Sequence, residues 1–428
     1  MHRLPSSPKG GCHRRLQTTE VSTMNLFPDE MRRDPYPLYD QLRTGSPVFH
    51  VAPLDLWMVF DYDGVKRALT DHEAFSSAVA PPTGKAPDWI VFSDPPRHTK
   101  LRSIVLRAFT PRSIAGLEPR IRELSRDLLD PWIERGEMDL AADYAGPLPT
   151  MVIAEMLGVP PEDRARLLRF SEVIVNLSHA ISGGEEAARA VSEHAVVKEE
   201  MKVYLAGLIE ARRRAPAEDL LTRLVEAEVD GERLTEGDIL NFFQFLLAAG
   251  TETATNLIDN AILCFLESPA ELFRLRAAPE LLPSAIEEVL RHRSPLQMVF
   301  RETRRAVEVH GQVIPAGKLV LPVIGSANRD PHQFHDPGRF DIGRDPNPHV
   351  AFGHGIHFCI GAALARLEAR IALPDLLCRL KGLRRASDEP WEPRKAIIVH
   401  GPARLPIRFE PGRRAAVHAA GAHTPCPG

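Results

Sequence analysis

The chain has 428 residues, of which 44% are hydrophobic and 26% charged, and its formal net charge is −4. That is the make-up of a globular chain with enough apolar material for a large core, and Gly 28 with Pro 38 stays well below the roughly 25–30% that marks disorder. No basic surplus points to nucleic acid, no uncharged apolar run reaches the roughly 18 residues of a membrane span, and five scattered cysteines without a CxxC speak against a disulfide framework or four-cysteine zinc site.

Met1 to Thr23 carries basic residues but no apolar stretch, so it is not read as a signal peptide. A cytoplasmic setting is expected, since reduced cysteines suit that compartment. Residues 1–24 and 411–428 are rich in Pro, Gly, Ser, His and Arg and are expected to be flexible tails around one domain, 25–410. A short helix is predicted over Pro35 to Arg43 and a hairpin over Val48 to Phe60. Val65 to Thr70 reads as helix. Ser76 to Phe92 is a Pro-interrupted loop, long enough to suggest a lid or binding loop.

Apolar spacing of i, i+3/i+4 predicts helices over Pro96 to Phe109, Arg112 to Arg135, Leu148 to Leu157 and Glu162 to Ser178. Gly183-Gly184 breaks the pattern and Glu186 to Arg214 resumes it. Thr235 to Leu266 is the longest helical segment, roughly 48 Å at about 1.5 Å per residue. Pro283 to His292 is a further helix with Ser284 as its expected N-cap. Alternation from Val307 to Val323 predicts short strands turning at Gly311 and Gly317, and Cys359 to Leu380 returns to helix. The strands come from both ends of the chain, so one intertwined domain, mainly α with small β-sheets, is expected.

The segment Phe352-Gly353-His354-Gly355-Ile356-His357-Phe358-Cys359-Ile360-Gly361 concentrates unusual chemistry directly before a helix. A cysteine at a helix N-terminus is favoured as thiolate, because the free N–H groups and the dipole stabilise negative charge. Gly353, Gly355 and Gly361 permit positive φ and let the backbone approach the sulfur. From the residues alone, three readings stand: a metal-bound thiolate, a buried free cysteine, and a zinc site of His349, His354, His357 and Cys359. The zinc spacings match no common pattern, and a phosphate loop lacks its glycine signature.

The pattern Phe-x-x-Gly-x-x-x-Cys-x-Gly, met by Phe352, Gly355, Cys359 and Gly361, resembles the haem-binding loop of the cytochrome P450 family, the haem-thiolate monooxygenases. Three further patterns of that family occur in order. Ala249-Gly250-Thr251-Glu252-Thr253, in the longest helix, resembles the oxygen-activation motif. Glu288-Val289-Leu290-Arg291 resembles the buried Glu-x-x-Arg pair, with Pro337-Gly338-Arg339-Phe340 supplying the arginine that meets it. His98 and Arg102, four apart after Asp94-Pro95-Pro96, resemble the haem propionate site, joined by Arg301 and His357. Taken singly, each admits a plainer reading: a threonine bonding back to i−4, a surface ion pair, solvated cations.

The resemblance covers about Asn25 to Phe409 and implies a single domain with a long central helix over haem b. It makes Cys359 the iron ligand, with His98, Arg102, Ala249, Arg301, Phe352, Gly353, His357 and Gly361 around the cofactor. Glu252 then delivers protons, Thr253 steadies the activated oxygen, and Glu288, Arg291 and Arg339 are structural. The implied substrate is hydrophobic, of terpenoid, fatty acid, steroid or polyketide type, held by Trp89, Ile90, Phe245, Ala248, Met298, Val299 and Ile397. O2 is the co-substrate. Too little chain follows Cys359 for a fused reductase, so electrons are expected from a separate ferredoxin or flavodoxin and its reductase, acting on a monomer. A peroxide-driven enzyme and a haem sensor are the alternatives, and both sit poorly with an intact Glu252-Thr253 pair.

Overall fold

The computed structural model describes residues 28–79, 88–177, 184–229 and 231–412. The two expected tails lie outside it, except that Pro411 and Gly412 are described, the Gly412 N–H donating to the Ile133 carbonyl at 2.9 Å. The middle of the predicted loop, 80–87, also lies outside.

A five-stranded sheet joins segments far apart in the chain, in the order Val48–Val51, Leu56–Val59, Leu319–Pro322, Arg301–Thr303, Phe75–Ser76. The first two form the predicted antiparallel hairpin, with Val48 opposite Val59. Leu319 then pairs in parallel with Leu56. This pairing makes one domain of the chain's two ends, because neither half has a complete sheet alone. A three-stranded sheet orders Arg384–Arg385, Pro406–Arg408 and Glu137–Asp139.

Two-stranded sheets pair Glu228–Val229 with Glu232–Arg233 and Val307–Val309 with Gln312–Ile314, and the helices pack around a 32-residue central helix, Glu236–Glu267. Thr235 and Asp238 start it with a capping box: the Asp238 N–H donates to Thr235 Oγ1 at 3.1 Å and the Thr235 N–H to Asp238 Oδ2 at 3.0 Å. Beyond Leu240 most of its residues are buried, apolar and polar alike, as befits a helix surrounded by others. Leu247, Ile262 and Leu263 are wholly buried, each worth about 1.5–3 kcal/mol. Thr251 ties it to two neighbours: Thr150 Oγ1 of helix Pro147–Leu157 lies 3.3 Å from Thr251 Oγ1, and Ser171 Oγ of helix Arg164–Asn176 lies 3.1 Å away. Gly250 permits the first approach, since a Cβ there would stand 2.5 Å from Ile153 Cδ1.

Two expectations change in detail. The helix predicted from Arg112 to Arg135 is two, Pro111–Ala115 and Glu118–Ile133. Pro119 has no N–H to continue a ladder begun upstream, and it suits only the first turn of a new helix. Ser284 does not cap its helix, which already begins at Leu282; its hydroxyl donates to the Leu281 carbonyl at 2.9 Å.

Candidate active site

The central helix, the cysteine loop and helix Arg97–Ala108 enclose a cavity of about 250 Å³. Its walls are mostly apolar. Cys359 and the predicted cofactor residues His98, Arg102, Ala249, Arg301, Phe352, Gly353, His357 and Gly361 all border it.

The loop is shaped by its glycines. Gly353 and Gly355 have φ of 73° and 70°, and a Cβ at Gly355 would also press within 3.1 Å of the Leu69 carbonyl oxygen. Gly361 departs from expectation: its φ is −82°, a value open to any residue. The Cys359 N–H donates to the Phe352 carbonyl at 2.9 Å, which turns the sulfur onto the N-terminus of the 18-residue helix Ala362–Arg379. Burial pushes the Cys359 thiol up, while the N–H groups of Gly361 and Ala362 and the charge of Arg102 pull the other way. Behind the loop, Arg366 lies over the Phe352 ring at 4.4 Å and grips Glu287 through two bonds of 2.6 and 2.7 Å. His349 Nε2 bonds the same carboxylate at 3.0 Å. His349 is thus committed elsewhere, and among the described residues no three His, Cys, Asp or Glu gather as metal ligands, so the zinc reading finds no site.

On the adjoining wall the rings of His98 and His357 lie 4.1 Å apart. Both ring nitrogens of His98 and Nε2 of His357 are buried without a hydrogen-bond partner. Burial and neighbouring positive groups depress both imidazoles, to about 4 and about 3. Arg301 is 5% exposed, and burial lowers it to about 10. Arg102 Nη2 donates to the Phe358 carbonyl at 2.6 Å. The acid these groups feel is Asp94, already held by Ser76 Oγ, the Ser77 N–H and Arg304. The orphaned ring nitrogens and the buried guanidinium remain costly, so this wall calls for a further anionic group. A flat, apolar, metal-bearing ring with carboxylate arms fits the whole set: sulfur for the metal, imidazoles and guanidinia for the arms, apolar walls for the faces.

On the opposite wall Ala249 and Thr253 face the cavity. Thr253 Oγ1 donates to the Ala249 carbonyl at 2.6 Å, the i−4 bond of an ordinary helical threonine, and its lone pairs stay directed at the cavity. Glu252, one residue earlier, is turned about 100° away. It is 8% exposed, its Oε1 has no partner, and burial raises it to about 7 against the pull of Arg394.

Of the predicted substrate residues, Ile90, Phe245 and Val299 border the cavity. Four do not. Met298 points the other way along an extended segment, into a cluster with Tyr36, Tyr39 and Phe60. Ala248 and Trp89 each sit one residue from a lining position and pack into the surrounding core; Trp89 lies 6.2 Å from Phe92 and 6.1 Å from Phe245. Ile397 lies half-buried outside the lining. Sequence reasoning missed Val91, Ile153, Met156 and Leu246, which reach the cavity with no motif to mark them. It also missed Glu368, whose carboxyl burial raises to about 8.

The Glu288–Arg291 pair is wholly buried, and Arg291 spends five donor contacts: Nε and Nη2 on Glu288 at 2.8 Å each, Nη1 on the Asn328 and Pro337 carbonyls at 2.9 Å each, and Nη2 on the Arg339 carbonyl at 3.1 Å. The second guanidinium on Glu288 comes from Arg344, at 3.1 Å, and not from Arg339. Phe340 is turned into the core, so its neighbour Arg339 directs its side chain to solvent and offers only its carbonyl.

Three comparisons bear on this site. The family model described as cytochrome P450 matches residues 184–404. A putative cytochrome P450, YjiB, of Bacillus subtilis is 44% identical over 379 residues, covering 88% of this chain and 95% of that protein. The structure of cytochrome P450 CYP109Q5 from Chondromyces apiculatus superposes with a TM-score of 0.82 at 41% identity, covering 91% of this chain and 98% of that one. CYP109E1 from Bacillus megaterium in complex with testosterone gives 0.81 at 38% identity, covering 88% and 99%.

Proposed function

From the premise that this chain belongs to the cytochrome P450 family and is a haem b monooxygenase, we propose a division of labour among its residues and a substrate class. The enzyme inserts one atom of O2 into a hydrophobic small molecule with electrons from separate redox partners. When bound, haem b supplies the two-electron reduction of O2, which a thiolate ligand favours by pushing electron density to the iron.

Cys359 Sγ holds the iron. His98, Arg102, Arg301 and His357 hold the carboxylate arms, whose charge answers the buried donors. Ala249, Phe352, Gly353 and Gly361 keep the two faces of the ring clear. Glu252 is the proton donor: a carboxyl at about 7 is half protonated at neutral pH and so able both to give and to recover a proton. The Thr253 hydroxyl accepts a hydrogen bond at the cavity wall while its own O–H donates to the Ala249 carbonyl. Ile90, Phe245 and Val299 exclude water and hold substrate. The observation that carries the reading is a cysteine sulfur bordering an apolar cavity that also collects two arginines and two imidazoles with orphaned ring nitrogens.

The substrate class we assign is a compact alicyclic molecule of steroid type, supported by apolar walls and by the testosterone complex of the CYP109E1 neighbour. The electron donor is a ferredoxin or flavodoxin with its reductase, acting on a cytoplasmic monomer. No helix among the described residues is long and apolar enough to cross a membrane. Titrating the haem-loaded protein with testosterone, palmitate and a macrolide lactone tests the class. A saturable haem absorption shift with the steroid is expected; a shift with palmitate alone overturns it. Thr253→Ala is expected to leave steroid binding intact but to lower product formed per electron consumed by about tenfold, read as NADPH consumed against product. Unchanged coupling removes Thr253 from its role.

A further inference from the structure

The central helix carries a buried polar stripe that the motif does not explain. At about 100° per residue, Glu252, Asn256 and Asp259 lie within about 60° of one another on one face. Asn256, Asp259 and Asn260 are wholly buried and Glu252 nearly so. Glu252 Oε1, Asn256 Nδ2, both carboxyl oxygens of Asp259 and Asn260 Oδ1 have no hydrogen-bond partner among the described residues. Buried polar atoms are normally paired, with protein groups or with ordered water, so a run of orphans along one stripe calls for an explanation.

The neighbouring chain is shaped around this stripe. Arg394 Nε donates to Asn256 Oδ1 at 2.7 Å. A Cβ on Gly401 would collide with that same oxygen, so the segment can pass only as glycine. Asn260 Nδ2 pins the segment with bonds to the Arg293 and His400 carbonyls at 3.1 and 2.9 Å. The charged groups felt by the two acids are Arg394, which favours ionisation of both, and Asp139, which opposes that of Asp259. Asp139 accepts from Arg404 Nε at 2.9 Å, and Arg404 is exposed. The stripe thus runs from the helix turn that holds Thr253 to a solvent edge at Arg394 and Asp139.

We propose that Asp259 is a second acid of the proton path, refilling Glu252 through Asn256 and bridging water from the side of the central helix away from substrate. The inference rests on Glu252 as the donor. For each proton delivered at the cavity, the Glu252 O–H breaks and leaves a carboxylate. A proton released from the Asp259 O–H crosses by water to restore it, and solvent at the Arg394 edge reprotonates Asp259. No electrons move along the stripe; they come from the redox partner. Burial raises both Asp259 and Glu252, so both carboxyls are held toward the protonated form. Asp259 touches neither substrate nor cofactor, so it acts only through Glu252.

The test compares wild type, D259N, D259L and E252Q as haem-loaded proteins. The infrared difference between wild type and D259N, without substrate, is expected to contain a protonated carboxyl stretch that moves when folded protein is transferred to D2O. D259N and D259L should bind substrate unchanged, lose about tenfold in product per electron, and show a larger solvent deuterium effect on turnover. D259L should also be more resistant to denaturant, because it removes a buried unpaired carboxyl. A carboxyl band that is absent or does not exchange overturns the relay. So does a D259L enzyme that is fully coupled, which leaves Asp259 no part in proton transfer. Coupling lost in E252Q but not in D259N sinks this inference alone; coupling retained in E252Q sinks the donor role as well.

Discussion

Arg291→Ala is expected to leave almost no folded, haem-retaining protein, whereas Arg339→Ala is expected to fold as wild type. Arg291 is wholly buried, with donors on five acceptors drawn from its own helix and from the turns at Asn328 and Pro337–Arg339. Removing it leaves the Glu288 carboxylate buried with one guanidinium, the Asp341 N–H and the Asn347 amide, and leaves three carbonyls short of a donor. Breaking such a pair costs about 3–5 kcal/mol, against a total stability of about 5–15 kcal/mol. Arg291→Lys does not rescue, because three donors on a flexible stem cannot reach five acceptors arranged for a planar fork. Arg339 loses only an exposed side chain on truncation, since its carbonyl does the work. The measurement is denaturant unfolding with haem absorbance as a second probe. An Arg291→Ala protein within about 1 kcal/mol of wild type contradicts the argument.

The same cluster shows what a sequence can and cannot disclose. Glu288 and Arg291 are three apart on one helix, so local periodicity makes them partners. Arg344 reaches them by the path of a loop, which no spacing encodes, and the motif arginine at 339 was the wrong one for that reason. The pattern recurs in the pocket. Order along the chain located Cys359, His98, Arg102, Arg301 and His357, because each is fixed by a neighbour at set distance in sequence. Trp89, Ala248 and Met298 each missed the cavity by one residue, because in a helix or an extended segment a single step turns a side chain away. Helices with a strong apolar stripe were legible nearly to their ends, whereas Pro119 divided one unseen. The parallel pairing of Leu56 with Leu319 had no local trace at all. Glu368 and Asp259 were invisible for another reason: a carboxylate in a helix reads as solvated until its neighbours bury it.

Cys359→His is expected to yield a protein that still binds haem but has lost the sulfur-ligated spectrum and all monooxygenase activity. The basic wall proposed to hold the carboxylate arms does not depend on the sulfur: His98, Arg102, Arg301 and His357 come from other elements or from the loop before it. Haem retention should therefore survive, with imidazole in place of sulfur and a reduced carbon monoxide complex absorbing as in globin-type centres. The activity should fall below detection because a neutral imidazole withholds the electron push that the thiolate supplies. With iron bound as proposed, the N–H groups of Gly361 and Ala362 and the charge of Arg102 would add to the metal in offsetting the burial that raises the free thiol. A Cys359→His protein that keeps the red-shifted carbon monoxide band would falsify the assignment. A wild-type protein that binds haem yet never shows that band overturns it equally, without any mutation.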